Sequence, residues 1–366
     1  MTKRLRTGVI GTGLIAQVMH LHFLRELRDS YEISALCDIS AESVQSCAAE
    51  YGVDKVFTDW RELLKEPLDA VLILTSGSHA PIAIAAAEAG LHVFVEKPMC
   101  FSVIEGQAMM DAATRAGVTL MVGYPKRYDP AFARFSEEVG ALAHPKLLRV
   151  TTCEAPFHPY VTHYPLNPPG HVDEEMLAAL RRDTHDRLVD AIGTDDAFYV
   201  NQYHAVMLDT LVHEINTVRG VLGEPDRLDY VELREGSLTA LHRFGATTVA
   251  IHWIDLPGMT RYLMEFAAFD DDGRVTLSFP SPFLRNAPTL LAVEGGQPGA
   301  VDSWRREEVT SYESGFKLEL ATFYDAVVNG ATVPTDGLDG TRDIALCQAI
   351  IRCAREGVAI DHPTAL

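Results

Sequence analysis

Five short apolar runs in the first 124 residues, LRTGVI, EISALC, AVLIL, LHVFV and VTLMV, are separated by longer amphipathic segments. This alternation constrains the fold more than any other feature. Buried parallel strands cannot be joined by tight turns, so each needs a crossover, and helix-length crossovers build a doubly wound parallel sheet. In the first crossover Leu14, Val18, Leu21, Leu24 and Leu27 recur every three or four residues and share one helical face. Segments 41–51, 80–89 and 103–116 read as helices too, the last two ending before Gly90 and Gly117.

After VGYPKRYDP the texture changes. KLLRVTTC, LDYVELRE, TTVAIHWI, RYLMEFAAF and RVTLSF follow with fewer helices between them, and Tyr262, Met264, Phe266 and Ala268 alternate with period two. An α+β domain with an open, mostly antiparallel sheet is expected over residues 125–366, behind a parallel-sheet domain over residues 1–124. A region of about 75 residues from Glu154, with several prolines, tyrosines and histidines and at least one helix, separates the first two strands of the second domain; a connection this long is expected to serve function. Helical patterns at 316–328 and 339–356 close the chain.

Acids outnumber bases 51 to 31, giving a formal charge of −20, and no basic block follows a phosphate backbone, so nucleic acid is not an expected partner. Six scattered cysteines without a C-x-x-C pair point to a reducing cytoplasm. Lys3, Arg4 and Arg6 mimic a secretion signal, but glycines and Gln17 interrupt the apolar stretch behind them. No apolar run is long enough to span a membrane.

GVIGTGLIAQVM holds G-x-G-x-x-A at Gly11, Gly13 and Ala16, after an expected strand and opening an expected helix. Gly11 allows a tight turn, Gly13 lets the backbone approach a pyrophosphate and Ala16 permits close helix packing, so the loop with Leu14 and Ile15 is expected to bind a dinucleotide in a Rossmann domain. Asp38, ending the second strand, is placed to accept from an adenosine ribose and would repel a 2′-phosphate. Ile39 and Ser40 bring no positive charge, so NAD is expected over NADP. TSGSHAP ends the fourth strand at the switch point of such a sheet, which makes Thr75, Ser76 and His79 cofactor candidates; His79 serves equally well as a cap of the next helix. Glu96, Lys97 and Pro98 end the fifth strand on the same edge, which makes Glu96 and Lys97 cofactor candidates as well, and a lysine there can polarise or deprotonate a hydroxyl provided its own pKa is lowered.

Together, G-T-G-x-x-A, the acid after strand two, HVFVEKPM and VGYPKRYDPAF resemble the glucose-fructose oxidoreductase and inositol dehydrogenase family, whose E-K-P motif is its most specific signature. The likeness runs on through GFKLELATFYDAVVNG and DGTRDIALCQAIIRCAREG. It implies an NAD(P)-dependent dehydrogenase acting on a hydroxyl of a sugar, glycoside, polyol or cyclitol, or on its keto form. It also implies a catalytic trio of Lys97, Asp209 and His213. Asp209 and His213 stand four apart in VMLDTLVHEINTVRGVLGEP, on one helical face. Lys97 would hydrogen-bond the reacting oxygen, His213 would take its proton, and Asp209 would orient substrate.

Tyr124, Arg127, His158, Tyr160, His163 and Asn201, with Tyr164, Tyr199 and His204, are candidates for a sugar-binding wall. Thr75, Ser76 and Gly77 stand where many relatives read T-P-N, and AVM replaces the usual glycine pair before Asp209, so substrate identity is left open. The histidines lack H-E-x-x-H spacing and a clear third ligand, so no metal is expected. An NAD-dependent glycosidase and a non-catalytic NAD-binding regulator are the alternative readings. The resemblance also implies a homodimer or homotetramer with a small-molecule substrate.

Overall fold

The computed structural model describes residues 3–297 and 299–361. Strand β1 (Leu5–Ile10) leads into a π-helical stretch, Ala16–His20, which continues as α1 (Leu21–Glu26). There follow β2 (Tyr31–Cys37), α2 (Ala41–Tyr51), β3 (Val56–Phe57), α3 (Trp60–Leu63), β4 (Ala70–Ile73), α4 (Ala80–Glu88), β5 (His92–Glu96), α5 (Val103–Ala116) and β6 (Leu120–Gly123). Their pairings are all parallel, in the order β3-β2-β1-β4-β5-β6, so the order reverses between β1 and β4 at a switch point. Local chemistry sets the helix ends. Ser40 and Ser102 cap α2 and α5 by accepting from Ser43 N and Glu105 N, and Gly52 and Gly117 close them at positive φ.

Next come α6 (Pro130–Gly140), β7 (Leu147–Glu154), α7 (His158–Val161), α8 (Glu174–Ile192), α9 (Ala197–Asn201) and a second π-helical stretch, Gln202–Leu211, that runs into α10 (Val212–Leu222). The remaining elements are β8 (Arg227–Arg234), β9 (Ser237–Phe244), β10 (Thr247–Asp255), β11 (Leu263–Phe269), β12 (Gly273–Phe279), β13 (Leu290–Gly296), β14 (Ser303–Val309), α11 (Gly315–Asn329), α12 (Gly337–Glu356) and β15 (Ile360–Asp361). Nine strands form the order β14-β13-β12-β11-β7-β10-β9-β8-β15, antiparallel except for β7 against β10. The expected parallel sheet followed by a mostly antiparallel one is the observed fold. Strands β3, β9, β13, β14 and β15 lie outside the runs that stood out in the sequence. Met264, Phe266 and Ala268 are buried in β11, as their alternation requires.

The chain forms two compact units, each discontinuous. The first takes Met1–Tyr124, Tyr164–Val212 and Phe316–Ala345; the second takes Pro125–His163, His213–Gly315 and Leu346–Leu366. Helix α11 therefore completes the core of the parallel sheet: Tyr31 Oη donates to Leu320 O at 2.6 Å, and the Phe94 and Phe323 rings meet edge to face at 5.7 Å. Thr335 Oγ1 donates to Val122 O at 2.7 Å. No helix among the described residues is long and apolar enough to cross a membrane.

Candidate active site

The glycine turn shows two different reasons for glycine. Gly11 has φ of 100° and a Cβ there would lie 2.7 Å from the Leu74 carbonyl carbon, so the protein itself demands it. At Gly13 a Cβ would meet nothing within 4 Å. Packing does not demand a glycine there, and the open space is of the kind that lets a ligand's phosphates approach the backbone. Asp38 is held at the end of β2: Oδ2 accepts from Thr12 N at 2.8 Å and Thr12 Oγ1 at 2.9 Å, and Oδ1 accepts from Ser40 N at 2.9 Å. A fixed carboxylate beside an open glycine turn and a helix N-terminus fits a dinucleotide. Leu14 and Ile15 are half-buried at that N-terminus, as is Thr75 after β4, while Ser76 is exposed. His79 is fully buried and its Nε2 donates to Thr75 O at 2.7 Å, which ties the loop to α4; burial lowers its pKa.

Lys97 and Asp209 meet within the first unit. Lys97 Nζ donates to Asp209 O at 2.5 Å and to Asp209 Oδ1 at 2.9 Å, which engages two of the three N–H bonds of an ammonium. Behind Lys97 stands a cluster that sequence reasoning missed. Glu96 Oε2 accepts from Lys97 N at 3.0 Å, and Glu96 Oε1 pairs with His20 Nε2 at 2.5 Å. Glu319 brings a carboxylate to the same place, so ligand-type atoms of His20, Glu96 and Glu319 lie within 4.8 Å of one another, all buried. The His20 ring is flanked edge to face by Phe94 at 5.5 Å and Phe316 at 5.6 Å. Burial pushes the Glu96 carboxyl up, but the hydrogen bond and charge of His20 and the charge of Lys97 outweigh it and hold the group below its ordinary value. The only sequence signals were His20 on an otherwise apolar helical face and a glutamate ending a buried strand.

The other site candidates divide between the units. Tyr124, buried, and Asn201, exposed, belong to the first. In the second, Arg127 donates to Asn216 O at 3.2 Å and Asn216 Oδ1 at 3.3 Å, and a Cβ on Gly220 would strike its guanidinium, so Arg127 braces α10. His158 and His163 are exposed. Tyr160 Oη donates to Thr260 O at 2.5 Å and accepts from Tyr262 N at 2.8 Å, which pins α7 beside β11. His213, half-buried, stands four residues beyond Asp209 in the same unbroken helical run.

Next to His213, Glu214 is fully buried and accepts from Thr152 Oγ1 at 2.5 Å, while its Oε2 has no hydrogen-bond partner among the described residues. Burial pushes its pKa up to about 7, against the opposing effects of Thr152 and Lys126. Below the ordinary carboxyl range the group is protonated in both folded and unfolded chains and costs nothing. As pH rises from there through about 7 the unfolded chain releases the proton first, so stability falls. Replacing Glu214 with glutamine, which still accepts from Thr152, is expected to remove that loss. The variant should be more stable than wild type by roughly 1–3 kcal/mol at pH 8 and indistinguishable at pH 4.5 or below, as read from thermal midpoints across pH.

Residues 5–124 match the oxidoreductase family with an NAD-binding Rossmann fold. An uncharacterized oxidoreductase of Bacillus subtilis, YrbE, is 36% identical over 156 residues, covering 42% of this chain and 45% of its own length. The myo-inositol 2-dehydrogenase of Thermotoga maritima is 24% identical over 368 residues, covering 96% of this chain and 97% of its own length. Among solved structures, levoglucosan dehydrogenase in complex with NADH has a TM-score of 0.75 at 19% identity, covering 99% of this chain and 100% of that one; this is a likeness of fold. The E-K-P lysine, the fixed Asp38 and the open turn at Gly13 all lie in or at the edge of the matched segment. Residues 5–124 therefore match the NAD-binding Rossmann fold of that oxidoreductase family, and the similarity to an inositol 2-dehydrogenase continues over nearly the whole chain.

Proposed function

We propose that this protein catalyses reversible oxidation of a hydroxyl-bearing carbon of a sugar, glycoside, polyol or cyclitol. The observation that carries the reading is the bond from Lys97 Nζ to Asp209, which joins the lysine behind β5 to the helical run that leads to His213. NAD, when bound at the Gly11–Gly13 turn, supplies the hydride acceptor. Lys97 has one ammonium N–H beyond the two given to Asp209, and it donates that bond to the reacting oxygen, stabilising the alkoxide character that develops there. His213 takes the hydroxyl proton. Asp209 fixes the direction of Lys97 with one oxygen and holds a neighbouring substrate hydroxyl with the other.

The inositol 2-dehydrogenases that align over nearly the whole chain support a polyhydroxylated ring as substrate. A homo-oligomer through the open sheet belongs to the same reading, supported by the exposed Leu263, Leu290 and Trp304 on its strands. The test is NADH absorbance during incubation with NAD and a panel of inositols, aldoses, glycosides and keto-sugars. The expected result is net NADH formation with at least one cyclitol or sugar. Turnover of a glycoside without net NADH, or tight NAD binding with no turnover of any compound, would overturn the proposal.

A further inference from the structure

Between α7 and α8 the chain returns to the first unit and lies on the nucleotide-binding edge. Asn167 N donates to Gln17 Oε1 at 2.8 Å, and Gln17 Nε2 donates to Thr12 O at 2.8 Å, inside the glycine turn. Asn167 Nδ2 donates to Glu50 Oε2 on α2 at 3.0 Å. Three residues further on, a Cβ at Gly170 would lie 2.1 Å from Ser40 Oγ, 2.7 Å from Glu42 Cβ and 3.0 Å from Ser43 N. Gly170 is not at positive φ, so glycine is required there for closeness and not for backbone freedom. His171 N then donates to Glu42 Oε2 at 3.0 Å. Residues 164–173 thus form a strap, tied at one end to the glycine turn and seated by Gly170 on the first turn of α2.

The cap of that turn, Ser40, stands two residues after Asp38. If Asp38 holds the adenosine ribose, a phosphate on the ribose 2′-oxygen needs donors beside Asp38, and the N-terminal turn of α2 is the anion seat within reach. Ser40 Oγ already accepts from Ser43 N there, Glu42 adds a negative charge, and Gly170 occupies the space above both. Residues 39–43, Ile-Ser-Ala-Glu-Ser, contribute no cation. Charge at Asp38 is therefore one barrier to NADP, and the volume of the strap is another.

We propose that the strap of residues 164–173, seated by Gly170 on Ser40 and Glu42, is a specificity determinant that excludes 2′-phosphorylated nucleotides independently of Asp38. The proposal rests on the reading that Gly11, Gly13 and Asp38 bind NAD. It is tested by calorimetric titration of ADP-ribose and 2′-phospho-ADP-ribose, which needs no turnover. Wild type is expected to prefer ADP-ribose by about 100-fold or more, and Asp38→Ser to keep a preference of about tenfold or more. Adding Gly170→Val, whose side chain drives the strap off α2, should bring the two ligands to within about threefold. A second variant, Asp38→Ser with Gln17→Ala and Asn167→Ala, frees the strap at its other end while leaving the first turn of α2 unaltered, and should move the ratio in the same direction. Near-parity in Asp38→Ser alone would overturn the proposal. So would folded strap variants that keep the ratio of Asp38→Ser. If wild type fails to bind ADP-ribose at all, the dinucleotide reading falls first and the proposal with it.

Discussion

Lys97→Ala is expected to lower kcat by about 1,000-fold, equivalent to about 4 kcal/mol of transition-state stabilisation, while the NAD dissociation constant stays within about threefold of wild type. The side chain removed is the one whose ammonium is aimed by the Asp209 carbonyl and carboxylate. Arginine should not rescue it. A planar guanidinium with fixed donor directions cannot reproduce a compact ammonium bonded to two oxygens of one residue with a third bond to spare. His213→Ala should produce a comparable fall, with a loss of the pH dependence that a general base imposes. Steady-state kinetics and NAD titration of the two variants separate chemistry from cofactor binding. Wild-type kcat in both, with normal NAD affinity, would remove these side chains from the reaction.

His20→Ala is expected to destabilise the protein by about 3–5 kcal/mol, because it leaves Glu96 and Glu319 as two buried carboxylates without the imidazole between them. The same change should lower kcat. Glu96 Oε2 accepts from the Lys97 backbone N–H, so a Glu96 that shifts or takes up a proton moves the Lys97 amine although His20 lies 76 positions before Glu96 in the chain. Paired replacement of His20 and Glu96 by leucines should recover part of the stability, since it leaves one buried carboxylate, Glu319, without the imidazole instead of two. It should not recover kcat, because leucine offers Lys97 N no acceptor. Thermal midpoints and kcat of the single and double variants give the comparison. A His20→Ala protein as stable as wild type would show that the cluster carries no net charge to compensate.

The elements that sequence made readable are those whose evidence is local. Helices α2 and α5 carry their own serine caps and terminal glycines, and the all-buried strands β4 and β6 appear as continuous apolar runs. The G-x-G-x-x-A turn and E-K-P were readable because each occupies a fixed place relative to a strand end. Strands β13 and β14 were not, since LLAVEGG ends in glycines and SWRREEV is polar and exposed almost throughout. The π-helical stretch at Ala16–His20 defeats a 3.6-residue count, yet it buries His20 together with Val18 and Met19.

What stayed hidden in the candidate site is long-range. Glu319 stands more than 200 residues from Glu96, and nothing in GFKLELATFY marks it as a partner for a strand-end acid. The strap was equally silent. LNPPGH, at residues 166–171, reads as a proline-rich loop, and only coordinates show Gly170 against Ser40 and Asn167 against Gln17.

The discontinuity of the first unit bears on how the protein is made. A ribosome releases β1 to β6 early, but Tyr31, Phe94 and His20 receive their final neighbours from Leu320, Phe323 and Phe316, and Val122 receives its partner from Thr335. Until residues 316–335 have been translated, the nascent parallel-sheet unit carries an uncovered apolar patch and a buried-type acid without its full surroundings, an interval in which chaperone protection matters most.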